Sequence, residues 1–527
     1  NIPSGAQLLS LRTLKADGTV LEPENIEGKD TVSLPGVQIG DFIEYEYLLA
    51  HPPRGPIQPG FTASNFYFQI ARTPNNWSTY VVLAPKGTGM KVDAHNVQAP
   101  RVEVKGDLEV FRHDERRVPP YIPEPDSPPA ATEYLPFVTV GAGTTGNESL
   151  VAAYADAYLD RGEITYEVEE FARQAVGQKR GAEAVKALYS AVMQRLPGRD
   201  AGLTTSAAAS LAQDRGSRLW LLKASLEAVG IPTRLVAIRT FAADPSNYLF
   251  PNEALLPYLA LRADVPDSGP VWLDPLVRFG PYAELPEQAS GNREAFVFPE
   301  PGRKPGKATT PPLKARPPKE ISLELTLSPD GKLSGSGAER YQGMEAARLA
   351  EALDALGPEQ RNQALQSALS RYFGGAELSS LKLELTKEVG APLVVRYSFV
   401  APQFARREGD TLVLPPVTFP ARLGKRYVQI GTRQTPLYID ETERTHTLAK
   451  LTLPEGMRVE GLTPEVKTGG RYGSFVRRES QAKNVVTIEE DYRLDMARIP
   501  PREYEDFSQF AGEVDLIQAH DLVVRAR

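Results

Sequence analysis

The 527-residue chain contains no cysteine, which excludes disulfides, a thiolate nucleophile and any cysteine-ligated metal. Its compartment stays open on that count, because a thiol-free chain suits a reducing cytosol and an oxidising envelope equally well. Histidine is almost as scarce. The five are His51, His95, His113, His446 and His520, none between His113 and His446 and none at His-x-x-x-His or carboxylate-rich spacing. Metal chemistry therefore has no support, and no cofactor is expected. No run of about 18 apolar residues exists, so no membrane-spanning helix is expected. Asn1-Ile2-Pro3-Ser4-Gly5 lacks the basic and apolar pattern of a signal peptide and leads straight into an alternating strand, Gln7 to Thr13; we expect a targeting segment upstream. Charge of either sign is not in excess. Lys and Arg number 60 against 67 Asp and Glu, a net −7, and no basic stripe is interleaved with aromatics, so nucleic acid is excluded as a partner.

What is present is an ordinary globular composition, 41% hydrophobic and 24% charged with mean hydropathy −0.32, rich in turn formers at 46 Pro and 42 Gly. At roughly 100–200 residues per domain this length implies three or four domains. Residues 1–144 are strand-like: Thr31-Val32-Ser33-Leu34, Phe42 to Tyr47 and Tyr80 to Leu83 lie between Asp-Gly and Pro-Gly turns, an all-β, sandwich-like domain. Its end is proline-dense from Val118-Pro119-Pro120 through Pro128-Pro129, which reads as an extended surface strap rather than a ligand motif. After Asn147 the period changes from two to 3.6. Helices are predicted over 149–161, 166–177, 181–195, 204–212 and 218–229, then short strands over 233–240, 257–263 and 271–274, an α+β domain spanning 145–298. Residues 299–319 carry proline, glycine and lysine with almost no large apolar group and are expected to be a linker. The remainder, 320–527, reads as β-rich with one helical pair, 344–356 and 359–373. Strands are predicted over 321–328, 380–387, 393–400, 446–453, 472–479, 484–493 and 514–524, as in an antiparallel sandwich.

The apolar helix Arg218 to Val229 is closed by Gly230-Ile231-Pro232, since glycine accepts the left-handed cap and proline cannot continue. At its start Ser217 reads as a plain cap, although Arg215 and Ser217 at a helix N-terminus would also make an anion-friendly spot. Val271-Trp272-Leu273-Asp274-Pro275 ends a strand on a carboxylate. The carboxylate runs Glu489-Glu490-Asp491 and Glu503, Glu505, Asp506 read as solvated faces. Arg471, Arg477 and Arg478 beside Tyr472 and Phe475 read as charges guarding a strand edge, with cation–π recognition as the sharper alternative.

The order of these parts resembles a family of bacterial envelope proteins in which an all-β domain of unknown function precedes a papain- or transglutaminase-like α+β core and a β-rich C-terminal region. The resemblance spans nearly the whole chain. It is carried by Asp17-Gly18-Thr19, Ser33-Leu34-Pro35-Gly36-Val37, Gly40-Asp41-Phe42-Ile43-Glu44-Tyr45 and Glu133-Tyr134-Leu135-Pro136, then by Leu221-Leu222 with Gly230-Ile231 and by Val271 to Pro275. In the tail it is carried by Leu453-Pro454-Glu455-Gly456-Met457, Gly470 to Phe475 and Ile499 to Tyr504. The resemblance implies a nucleophilic Cys at the head of the apolar helix, where this chain has Arg215 by ungapped counting or Ser217 by anchoring on Gly216. It implies a His where Tyr258 stands and an orienting acid at Asp274; with no imidazole to orient, Asp274 is expected to be a structural acceptor bonded to Tyr258 or to backbone amides. A phenol near pKa 10 is a poor proton acceptor at neutral pH, so the triad logic is not met.

The expectation is a catalytically inactive, transglutaminase-like pseudoenzyme, periplasmic or on the outer surface. It would serve as a scaffold for protein–protein interaction or for an extended peptide, through a cleft around Arg215, Ser217, Tyr258 and Asp274. A second reading makes the β-domains polysaccharide- or surface-binding, with Trp77, Tyr80 and Tyr121 as contacts and the core as spacer. Active amide hydrolysis or acyl transfer is the least favoured.

Overall fold

The computed structural model describes residues 3, 5–25, 32–50, 60–143, 145–266, 268–384 and 388–526. Thr31 and His51, named above, and residues 385–387 of the strand predicted over 380–387 lie outside them. The chain divides into two compact units, residues 1–57 and 58–527. In the first, Gln7–Leu14 pairs antiparallel with both Phe42–Leu48 and Val20–Leu21.

Within the second unit, the regular elements described up to Gly143 are strands, apart from one 3-10 turn at Ala131–Glu133. Asn75–Pro85 pairs with Leu108–Val118, and Phe137–Gly143 is the hub of a four-stranded sheet. The proline-dense strap is a clasp. Glu124 accepts hydrogen bonds from the backbone N–H of Gln434 and Thr435, Tyr438 N–H donates to the Asp126 carbonyl, and Arg498 pairs with Glu133. Extended prolines leave their carbonyls unpaired, and here Arg433 of the C-terminal region donates to the Pro125 carbonyl at 2.6 Å.

The helices follow the 3.6-residue period: α1 Asn147–Tyr158, α2 Tyr166–Val176, α3 Gly181–Arg195, α4 Ala207–Gln213 and α5 Arg218–Ala228. Every residue of α5 from Arg218 to Leu226 is buried, so this helix is enclosed all round and occupies the centre, packed on α2, α3, α4 and a five-stranded sheet. That sheet is antiparallel, in the order Gly269–Leu273, Tyr258–Val265, Thr233–Ile238, Glu294–Val297, Gly306–Thr309. Its last strand lies in the segment expected to be a linker. Lys307-Ala308-Thr309 is free of proline, so its amides can join the ladder, and Thr310 is buried.

Beyond it, an eight-stranded sheet runs Glu377–Glu384, Leu393–Ala401, Leu333–Tyr341, Lys319–Leu327, Glu443–Thr452, Val485–Leu494, Gly473–Ala482, Val466–Gly470. It is mixed rather than purely antiparallel, because Lys319–Leu327 and Glu443–Thr452 run parallel. Leu333–Tyr341, absent from the prediction, is a strand despite Gly335 and Gly337. A Cβ there would stand 2.5 Å from Leu325 and 2.4 Å from Tyr397, so large cross-strand side chains fill the space the glycines leave. Helices α6 Gly343–Asp354 and α7 Pro358–Ser370 pack on this sheet. A short α8, Leu423–Tyr427, precedes α9, Tyr504–Gln518.

The strand predicted over 514–524 is overturned. Tyr504, Phe507, Phe510, Ala511, Val514 and Gln518 recur at helical spacing and form the buried face of α9, and the strand begins only at Leu522. Read from Val514 onward, that tail shows too few turns for the period to emerge.

Candidate functional site

The site is built where the head of α5 meets the ends of two core strands. Gly216, at φ +137°, turns the chain into the helix, and a Cβ on it would meet Ser210 Oγ at 2.4 Å. Ser217 is the N-cap: its Oγ accepts from Trp220 N–H at 3.1 Å and its own N–H donates to Ser210 Oγ at 2.9 Å. Buried and committed to the cap, this hydroxyl is not presented to a substrate. Arg215 lies outside, exposed, 3.4 Å from Gln213.

Tyr258 opens its strand and Asp274 follows the neighbouring one, so the antiparallel pairing brings them together: Tyr258 Oη donates to Asp274 Oδ2 at 2.6 Å. Asp274 Oδ1 accepts from Leu276 N–H at 2.9 Å. The aspartate is fully buried, and burial pushes its pKa up to about 6 against the opposing Tyr258 and Leu276 hydrogen bonds and the Arg348 and Arg218 charges. Tyr258 is held well above the usual phenol range by burial and by that carboxylate, so it stays a donor. Tyr189 Oη donates to the carbonyls of Asp274 and Gly280, locking the turn between them.

Arg218, one residue past the cap, was not among the residues singled out from the sequence. Fully buried, it donates to four carbonyls: Pro275 at 2.7 Å, Leu276 at 2.8 Å, Leu196 at 3.0 Å and Gly198 at 2.6 Å. Asp200 stands 3.8 Å from its Nε, accepts Arg218 N–H at 2.6 Å, and has a pKa raised by its own burial. The guanidinium thus ties the loop after Asp274 to the head of α5. The signal was an arginine directly before Leu-Trp-Leu-Leu, a position that a central helix buries.

The C-terminal region closes on the same loop. Met344 N–H of α6 donates to Glu284, Arg278 pairs with Asp354, and Arg348, itself paired with Glu441, favours the Asp274 carboxylate. Beside the site, a cleft of about 430 Å³ runs along the outermost core strand, Gly269–Leu273, between Trp272, Leu285 and Leu313. The structure joins Tyr258 to Asp274 and adds Arg218. No hydrogen bond or ion pair links Arg215 or Ser217 to either among the described residues.

Two readings outside the core change. Arg477 and Glu490 are not solvated: Arg477, 2% exposed, bonds Glu479 and Glu490 at 2.7 Å each. Strand alternation sends them inward, while Arg478, Glu489 and Asp491 point out. His446 and Asp491 face each other across two strands with Glu489 nearby, their donor atoms within 4.8 Å, and Arg478 lies 3.3 Å from Asp491 and 3.9 Å from Glu489 while pairing with Glu465 at 2.9 Å. Of the three aromatics offered for glycan contact, Tyr80 stacks on Phe66 and Tyr121 on Tyr134. Trp77 is exposed but has Arg116 over its ring.

With this geometry in hand, the likenesses to known proteins are these. Residues 410–524 match DUF3858, a domain of unknown function. The whole chain shares its fold with a crystal structure named "a putative protease from Parabacteroides distasonis", at a TM-score of 0.59 and 15% identity, covering 99% of this chain and 89% of that one. A second structure, "a putative cysteine protease from Cytophaga hutchinsonii", covers 42% of this chain and 72% of its own at 11% identity, with a TM-score of 0.18. No curated protein matches. The chain is thus a mixed, strand-rich molecule of several sheets, similar in fold to a protein named as a protease, with DUF3858 at its C-terminal end. No helix among the described residues is long and apolar enough to cross a membrane.

Proposed function

We propose that this chain is a catalytically silent transglutaminase-like protein, acting as a binding or scaffolding module in a bacterial cell envelope. One observation carries the reading: where that chemistry needs an imidazole beside its acid, a phenol of raised pKa donates to a buried carboxylate, and no thiol exists to be activated. Ser217 offers no substitute, because its oxygen caps α5. The envelope location rests on the resemblance of the flanking domains. An extended peptide is the partner that suits the cleft: Gly269–Leu273 is an outermost strand that an added one could pair with beyond Pro270, which has no N–H to give, and Trp272 and Leu313 line the space beside it.

The test has two arms. The purified chain is expected to show no peptidase, deamidase or amine-incorporating activity, and no labelling of Ser217 by acyl-trapping reagents. Peptides that bind it should be lost on Leu313→Arg. Turnover abolished by Ser217→Ala or Tyr258→Phe would overturn the first arm, and peptide binding indifferent to Leu313→Arg the second.

A further inference from the structure

The helical pair does not close on its sheet. Of α7, Leu369 alone is fully buried, and beneath it lies a hollow of about 260 Å³ walled by Leu353, Leu365, Leu381 and Phe419. Those four side chains are only partly buried, so the hollow opens to water, which apolar walls disfavour. No described segment of the chain fills it.

Its polar groups are few and unequally satisfied. Glu339 is saturated: Lys319 Nζ donates at 2.7 Å, Tyr341 Oη at 2.6 Å and Tyr397 Oη at 3.0 Å. Lys319 also lies over the Tyr341 ring at 4.7 Å. Arg361, on α7, is different. Its Nε donates to the Leu353 carbonyl at 2.7 Å, and neither Nη has a hydrogen bond or ion pair among the described residues. The hollow therefore has apolar walls, a neutralised ion pair and one unspent guanidinium fork, matched to a planar anion. At about 30 Å³ per water-sized group it holds about nine such groups.

We propose that the hollow between the α6–α7 pair and the eight-stranded sheet binds a small amphiphilic carboxylate, its alkyl chain of about seven carbons on the apolar walls and its carboxylate on Arg361. The site is remote from the Tyr258–Asp274 pair in residue content and does not depend on how that pair is read.

Sodium octanoate, octan-1-ol and octylamine, titrated calorimetrically into the full chain, separate the contributions of head group and tail. Octanoate should bind with a Kd of about 1 mM or tighter, and octanol and octylamine about tenfold more weakly. Arg361→Gln should weaken octanoate about tenfold and leave octanol unchanged. Ala364→Trp, which fills the hollow, should remove binding of both, and Ala368→Leu serves the same purpose should the larger side chain disturb folding. Absence of saturable octanoate binding at about 10 mM, octylamine binding as tightly as octanoate, or binding indifferent to both filling variants would each overturn the proposal.

Discussion

Two buried arginines in this molecule solve the same electrostatic problem differently. Arg477 in the C-terminal sheet is paid for by side chains, Glu479 and Glu490, with Gln518 and Thr418 bonding the second carboxylate. Arg218 in the core is satisfied chiefly by main-chain carbonyls from two loops, with Asp200 at the margin. A network of side chains can be exchanged whole for apolar groups, whereas carbonyls remain whatever residue replaces the cation. The second arrangement is therefore tied to the shape of the loops it holds, and those loops carry Asp274.

The largest expected effect tests that difference. Arg218→Met should cost about 3–5 kcal/mol or prevent folding, and adding Asp200→Asn should recover little, because four carbonyls lose their donor. Arg477→Met should cost a comparable amount alone, but exchanging the network whole, Arg477→Met with Glu490→Leu, Thr418→Val, Gln518→Leu and Glu479→Gln, the last keeping an acceptor for Thr463 N–H, should return to within about 1–2 kcal/mol of the parent. Urea denaturation of the four variants decides it. Equal rescue at both sites would erase the distinction.

The next prediction concerns pH. A carboxyl whose folded pKa exceeds its unfolded one holds its proton more tightly in the fold. The Asp274 contribution is therefore complete below about pH 4 and is lost as pH rises through about 6, a difference of order 3 kcal/mol. Asp274→Asn should flatten the stability profile across that window relative to the parent, and Tyr258→Phe should move the loss to higher pH by removing the bond that favours the carboxylate. Parallel profiles for parent and Asp274→Asn would show that the aspartate ionises freely. Smallest is the cap: Ser217→Ala should cost about 1 kcal/mol, and Arg215→Ala less than about 0.5 kcal/mol, measured by the same denaturation. A larger loss at Arg215 would mean that it holds more than Gln213.

Much of the fold was legible in the letters. The five core helices were visible because alanine and leucine at 3.6 spacing are a local property, and the stop at Gly230-Ile231-Pro232 is stereochemical. The failures share a cause. The strand Leu333–Tyr341 is written in serine and glycine because Leu325, Phe399 and Tyr397 press on it from neighbouring strands. Arg477 and Glu490 look solvent-facing until strand alternation turns them inward together. Arg218 reads as a helix-start charge until α5 becomes the centre of its domain. In the site, the Ser217 cap and Asp274 as an acceptor for Tyr258 or backbone amides were legible, whereas the buried guanidinium that holds their loop was not.

By itself, the sequence decided that no thiolate can act anywhere in this chain, which has no cysteine, and the resemblance read from it put Tyr258 where a histidine was expected. Only the tertiary structure decided which of the alternatives at Asp274 hold, Tyr258 and the Leu276 amide both bonding it, and that Arg218 binds their loop to the helix. Residue identity is a local property, whereas burial and hydrogen-bond partnership arise when segments tens of residues apart are packed against one another.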